Sequence, residues 1–292
     1  MPGFTSYDAI LAALSSGAGQ ELTFSKTLPA AHVAGAFHTS WACTGYPTNG
    51  AWAGAGGNAA ATWVTCSSAT TGAIPIASPT TASATNPYML STGVMQSTGT
   101  AMAGALILID RIADTGPLIT TAGTSCTLTM PGGGWARYND GAGVQIFMES
   151  LTTVPSVGSV ATLTYTNQLG VGSHTSGTAT SVAGAHRAVG TSGPYIALQT
   201  TDTGARSVES VAIASVTPAA TSIALVACKQ LLTIPCTTVG YYTERDLVIQ
   251  TPKLPKLQVA ADATACLQWI FVPNAATTSG AVFLGSVSTV TG

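Results

Sequence analysis

The run Val160–Thr166, VATLTYT, alternates strictly: Ala161, Leu163 and Tyr165 fall on one side, Thr162, Thr164 and Thr166 on the other. A period of two keeps every second side chain on one face, so the run predicts a half-buried β-strand; a helix would scatter the same residues around its axis. Just upstream, Val144–Leu151 follows an Asn139-Asp140-Gly141 turn signal and carries Ile146, Phe147 and Met148, which predicts a strand covered on both faces. These two central strands hold one ionisable group, Glu149.

The same signals recur along the chain. ALILIDRI (105–112) reads as a strand buried on both sides, closed by the turn residues Asp114-Thr115-Gly116-Pro117. SCTLTM (125–130) alternates, and Tyr195–Gln199 reads as a short strand. Val208–Val216 and Ile223–Cys228 read as a strand pair turning at Pro218; CLQWIFV (266–272) and Ala281–Val287 complete the set. A helix is predicted only at the start, where Thr5 or Ser6 caps a segment ending near Leu14, with Asp8 in its first turn and Ile10, Leu11 and Leu14 as its apolar stripe. So short a helix has to dock on something, its own body or a neighbour. The expected fold is mostly β, an antiparallel β-sandwich or jelly-roll-like arrangement with one short N-terminal helix.

The Ser-, Thr-, Ala- and Pro-rich stretch 67–100 suggests a boundary. It divides an N-terminal region, 1–100, rich in aromatic residues on loops, from a β-sandwich body, 101–292. Within the body, 241–257 (YYTERDLVIQTPKLPKL) gathers charged residues and two prolines and reads as an extended arm lying along its own surface or a neighbour's.

Charge narrows the functional classes. Of 292 residues, nine are Lys or Arg and eleven Asp or Glu, 7% in all, whereas 46% are hydrophobic. Disordered chains pair low hydrophobicity with high net charge, so this chain is expected to fold. Its dispersed basic residues cannot form the phosphate-binding stripe that nucleic acid requires. Its apolar runs are too short for a membrane-spanning helix. The start MPGFTSYDAILAALSSGAG lacks a basic leader and has Asp8 inside its apolar part, so cytoplasmic synthesis is expected. A surface of Thr, Ser, Ala and Gly puts little repulsion between copies, which suits dense assembly.

No motif for chemistry stands out. GAGGNA (54–59) has the GxGxxA form but no βαβ context. His32, His38, His174 and His186 are dispersed, and Asp110 beside Arg111 reads as a local polar pair. The six cysteines, 43, 66, 126, 228, 236 and 266, form no CxxC spacing and read as buried free thiols, with Cys228–Cys236 the one pairing within easy reach. No catalytic, cofactor or metal residue is assigned. Trp41, Trp52 and Trp63 either pack beneath loops or offer stacking surfaces to a sugar or receptor.

FTSYDAILAAL (4–14), WARYNDGAGVQIFME (135–149), LTYTNQ (163–168) and TERDLVIQTPKLPKL (243–257) resemble segments of tailed-bacteriophage virion structural proteins of the capsid decoration or cement type. That resemblance implies a non-enzymatic protein that is made in the bacterial cytoplasm and resides in the virion. Its implied partners are the major capsid protein or other virion proteins and copies of itself, read as a trimer. The expected contact residues are Phe4, Tyr7 and Ile10 on the helix, and Tyr242, Arg245, Lys253 and Lys256 on the arm. A tail or fibre-base component and a carbohydrate- or receptor-binding module are the alternatives; a lysin-type hydrolase ranks behind them.

Overall fold

The computed structural model describes residues 4, 6–28, 32–57, 59–76, 86–98, 103–118, 124–151, 160–181, 184, 186–191, 193–214, 223–236, 238–250, 254–257, 264–276 and 280–292. In chain order the elements are α1 (Tyr7–Ser15), β1 (Gly19–Thr27), β2 (His38–Thr39), β3 (Thr44–Tyr46), β4 (Ala60–Thr62), β5 (Val64–Thr65), β6 (Pro87–Thr98), β7 (Ala103–Asp114), β8 (Thr124–Thr129), β9 (Val144–Ser150) and β10 (Val160–Asn167). They continue with β11 (His174–Thr175), β12 (Ala179–Thr180), β13 (Arg187–Val189), β14 (Ala205–Ile213), β15 (Ile223–Pro235), β16 (Thr243–Asp246), α2 (Leu247–Gln250), β17 (Leu267–Pro273) and β18 (Val282–Thr291).

The chain is mostly β, and among the described residues its strand pairings are antiparallel apart from β4–β8, with one further parallel bridge between Gly57 and Leu118. The strands β15-β9-β13-β2-β17-β7 lie side by side, and β7 also pairs with β15, so this sheet closes into a six-stranded barrel with β5 attached at β7. A terminal sheet, β16-β6-β18-β1-β3, packs on one outer wall, and an outer sheet, β11-β10-β14-β8-β4 with β12 on β10, packs on another. Closure leaves the six barrel strands without a free edge among themselves.

Alternation assigns the three largest cores. On β7, Ile107 and Ile109 turn into the barrel beside Phe147, Ala188, Val226, Cys228 and Ile270. Their neighbours Leu106 and Leu108 turn outward and meet Leu22, Phe24, Val94 and Val287 of the terminal sheet. Val144, Ile146 and Met148 of β9 face Leu163, Tyr165, Val208 and Val211 of the outer sheet. The alternating half of β10 is buried as its pattern requires.

Several expected pairings rearrange. β9 and β10, adjacent in sequence, lie in different sheets, β9 in the barrel and β10 outside it. β14 and β15 likewise diverge, β14 pairing with β10 and β8 and β15 with β9 and β7. Residues 195–199 form no strand; Ile196 N instead donates to Ile146 O. Segments on both sides of position 100 share the terminal sheet, where β18 runs antiparallel between β1 and β6. All six cysteines are free and buried, and burial pushes the Cys43 thiol up to about 12.

Candidate interaction surface and buried polar centre

Helix α1 forms where its caps allow: Ser6 Oγ accepts from Ala9 N at 3.2 Å, and Gly17 takes a positive φ of 80° just past the end. Ile10 turns inward onto Tyr88, Leu90 and Val290, and Phe4 meets Tyr88 edge-on at 5.5 Å. Tyr7, Leu11 and Leu14 stay 55%, 50% and 39% exposed. Spaced i, i+4, i+7, they form one apolar stripe on the solvent side. The helix therefore docks on its own body through Ile10 and leaves the expected Leu11 and Leu14 facing out.

The arm also lies on its own body. β16 pairs with β6 at the edge of the terminal sheet, and Lys256 bridges to Tyr88. Arg245 is half-buried, donating to Thr233 O at 2.9 Å, and Lys253 lies outside the described residues. Tyr242 lies across Gly93, where a Cβ would sit 2.3 Å from its ring, and its hydroxyl is 3.0 Å from Ser286 Oγ. Beside it run two shallow grooves of about 410 and 480 Å³ that share Glu244 and Ser288. The interface residues expected from the sequence thus gather at the terminal sheet, with Tyr7 and Tyr242 open to solvent and Phe4, Ile10, Arg245 and Lys256 partly or wholly committed to the fold.

Several of the scarce charges go inside. Lys26, Asp110, Arg111, Asp114, Arg137, Glu149 and Arg187 are all buried. Asp110 and Arg111, neighbours on one strand, point to opposite faces and take separate partners, which corrects their reading as a pair. Arg111 Nη1 is 2.9 Å from Glu149 and Nη2 3.0 Å from Asp114, while its guanidinium lies 4.3 Å from the Trp41 ring centre. Burial pulls Arg111 down, but Glu149 and Asp114 outweigh it and hold the guanidinium charged. Glu149 also accepts from Thr39 Oγ1 at 2.7 Å and Trp52 Nε1 at 2.9 Å, and Asp114 accepts from the backbone N–H groups of Ala53, Gly54 and Gly116. On the other face, Arg137 grips both oxygens of Asp110 at 2.9 and 2.7 Å and donates to Cys66 O and Arg111 O. Asp110, Asp114 and Glu149 have their donors, and Arg111 and Arg137 their carboxylates, the arrangement that makes buried ions tolerable. What this centre does is fasten the loops 41–54 and 114–116 to the barrel.

Trp41 and Trp63 are buried and Trp52 is tied to Glu149, so these rings do not form a stacking face for sugar. Lys26 donates to the carbonyls of Cys43, Pro47 and Thr48, and burial lowers it to about 8.

Two histidine groupings were not legible in the sequence. His174 Nδ1 is 2.7 Å from Asp202 Oδ2, which also accepts from the Tyr165 hydroxyl at 2.5 Å; that hydroxyl, then Asn167 and His174, holds Asp202 below its ordinary range. This supplies two members of a hydrolytic triad and, among the described residues, no serine or threonine bonded to the imidazole. His32, His38 and His186 converge near Arg187 at the junction of β2 and β13. Among the described residues no group of three His, Cys, Asp or Glu side chains is arranged to hold a metal ion.

No family model matches the chain, and no curated protein matches it. Among solved structures, one described as "Structure of infectious bursal disease virus Gt strain" is similar at 8% identity, over 93% of this chain and 80% of that one, with a TM-score of 0.19, a value from which no shared fold follows.

Proposed function

We propose that this protein is a non-enzymatic structural component of a tailed-bacteriophage virion, a head decoration or cement protein that adheres to the capsid lattice and to copies of itself. The observation that carries the reading is an exterior sparse in charge, where Asp8, Glu21, Asp140, Arg206 and Glu244 are the exposed charged residues among those described, together with an apolar helical stripe, Tyr7, Leu11 and Leu14. Ion pairs turned inward hold loops in place and do little for a partner; a neutral face and an exposed apolar stripe lower the cost of contact between copies. Repeated on a symmetric shell, modest contacts sum by avidity. The two sheets flanking the barrel read as a sandwich-like elaboration with jelly-roll character.

The test is protein quantification by mass spectrometry on purified particles separated into heads and tails. Decoration requires a copy number comparable to the major capsid protein in the head fraction; presence in tails alone would establish the tail or fibre-base alternative instead. A carbohydrate- or receptor-binding module is the second reading, favoured by the Tyr242 ring lying across the sheet beside Glu244. A glycan-array signal that is lost in Tyr242→Ala would establish it.

A further inference from the structure

The barrel is closed unevenly. β2 and β13 share one register pair, His38 opposite Arg187, and two backbone bonds, Thr39 N to His186 O at 2.9 Å and Ala188 N to Phe37 O at 3.1 Å. Across this seam Arg187 Nη1 lies 2.9 Å from His38 Nε2. A guanidinium can only donate, so Nε2 must be the unprotonated nitrogen; Val33 N approaches the same atom at 3.4 Å. His38 therefore carries its single proton on Nδ1, which has no partner. A second proton can go only onto Nε2, where it meets the Arg187 N–H and turns the contact across the seam from attraction into repulsion.

The surroundings do nothing to relieve that repulsion. The His32 ring sits edge-on to His38 at 4.8 Å, with its Nε2 unpartnered, and Phe271 of β17 stacks on His38 at 5.0 Å. His186, at a positive φ of 55°, leaves Nδ1 unpartnered, and Arg187 Nε is unpartnered too. Among the described residues the one carboxylate facing the group is Glu149 of β9, bonded to Thr39 and Arg111 and acting on His186. The adjoining residues 29–31 and 182–185 include nothing ionisable.

We propose that the β2–β13 seam is an acid-operated latch: protonation of His38 breaks its bond to Arg187 and parts these two strands while the other seams of the barrel hold.

Burial foremost, then Arg187 and His32, holds His38 down to about 3, and burial, Arg187 and His186 hold His32 down to about 4. Parting the strands returns both to the ordinary histidine range near 6.5. A group that binds protons more weakly when closed favours opening as pH falls below its open-state value, so the latch loosens from about pH 6.5 downward. At pH 5, His38 alone raises the open population about thirtyfold over pH 8, and His32 acts in the same direction.

Amide exchange of the full chain, followed by mass spectrometry at pH 8 and pH 5 and corrected for intrinsic rates, tests this directly. Peptides covering 37–41 and 186–189 should lose protection about thirtyfold or more and stay far less protected than β6 and β18, whose exchange waits on global unfolding. His38→Gln retains an acceptor for Arg187 with no proton to gain, and should remove that thirtyfold component. Unchanged protection at pH 5, protection at 37–41 and 186–189 equal to that of β6 and β18, or a wild-type response in His38→Gln would overturn the proposal. Should His38→Gln not fold at neutral pH, the wild-type profile decides together with nitrogen-15 histidine spectra, where His38 must appear as the Nδ1–H tautomer; an Nε2–H tautomer refutes the latch.

Discussion

The seam between β7 and β15 and the seam between β2 and β13 close the same barrel with different chemistry. Along the first, nine register pairs interrupted by two shifts run from Ala105 opposite Pro235 to Asp114 opposite Val226, with Ile107 and Ile109 inside and Leu106 and Leu108 outside. Along the second, the register is a histidine opposite an arginine. A long seam with an apolar stretch and buried ion pairs opens only with the whole core, whereas a short polar seam opens at the cost of a few bonds that a proton can remove. Stability in this barrel is therefore local, and its ends of low and high resistance can be named.

The difference can be broken from the strong side first. Arg111→Met, beside the long seam, would strand Glu149 and Asp114 in the interior, so a loss of about 3–5 kcal/mol is expected in urea unfolding, or no folded protein. Ile109→Ala opens a cavity inside the barrel and should cost about 2–4 kcal/mol in the same assay without altering pH dependence. From the weak side, acidification from pH 7 to 5 should cost about 2 kcal/mol through His38, because its folded value lies below its unfolded one and the unfolded chain takes up the extra proton; His38→Gln should flatten that slope. Smallest of all, the double change Tyr7→Ser with Leu11→Ser should move the unfolding midpoint by about 0.5 kcal/mol or less, since both side chains are exposed, and should act on association instead.

Local pattern carried the strands and little of their partnership. The alternation of β10 and the continuous apolar run of β7 sit where their periodicity placed them, because burial on one face or two is written residue by residue. Which strand lies beside which depends on register between distant segments, and no turn signal records that β9 and β10 part company. The helix was legible in its Ser6 cap, but Ile10 and Leu11 compete for the docked face and only the shape of the terminal sheet decides between them. The charged centre left one trace: adjacent Asp110 and Arg111 inside an apolar strand must face opposite ways, so each had to find a partner elsewhere. For the histidines there was none, as His38 and Arg187 are brought together by closure of the barrel alone.

The central claim is the proposed one, that copies of this molecule adhere through a charge-poor exterior and the exposed apolar stripe of α1. Sedimentation velocity on the purified chain across a wide concentration range, beside the Tyr7→Ser/Leu11→Ser variant, tests it most directly. The account requires concentration-dependent self-association that the variant loses while its unfolding midpoint holds; a chain that stays monomeric throughout, indistinguishable from the variant, would contradict it.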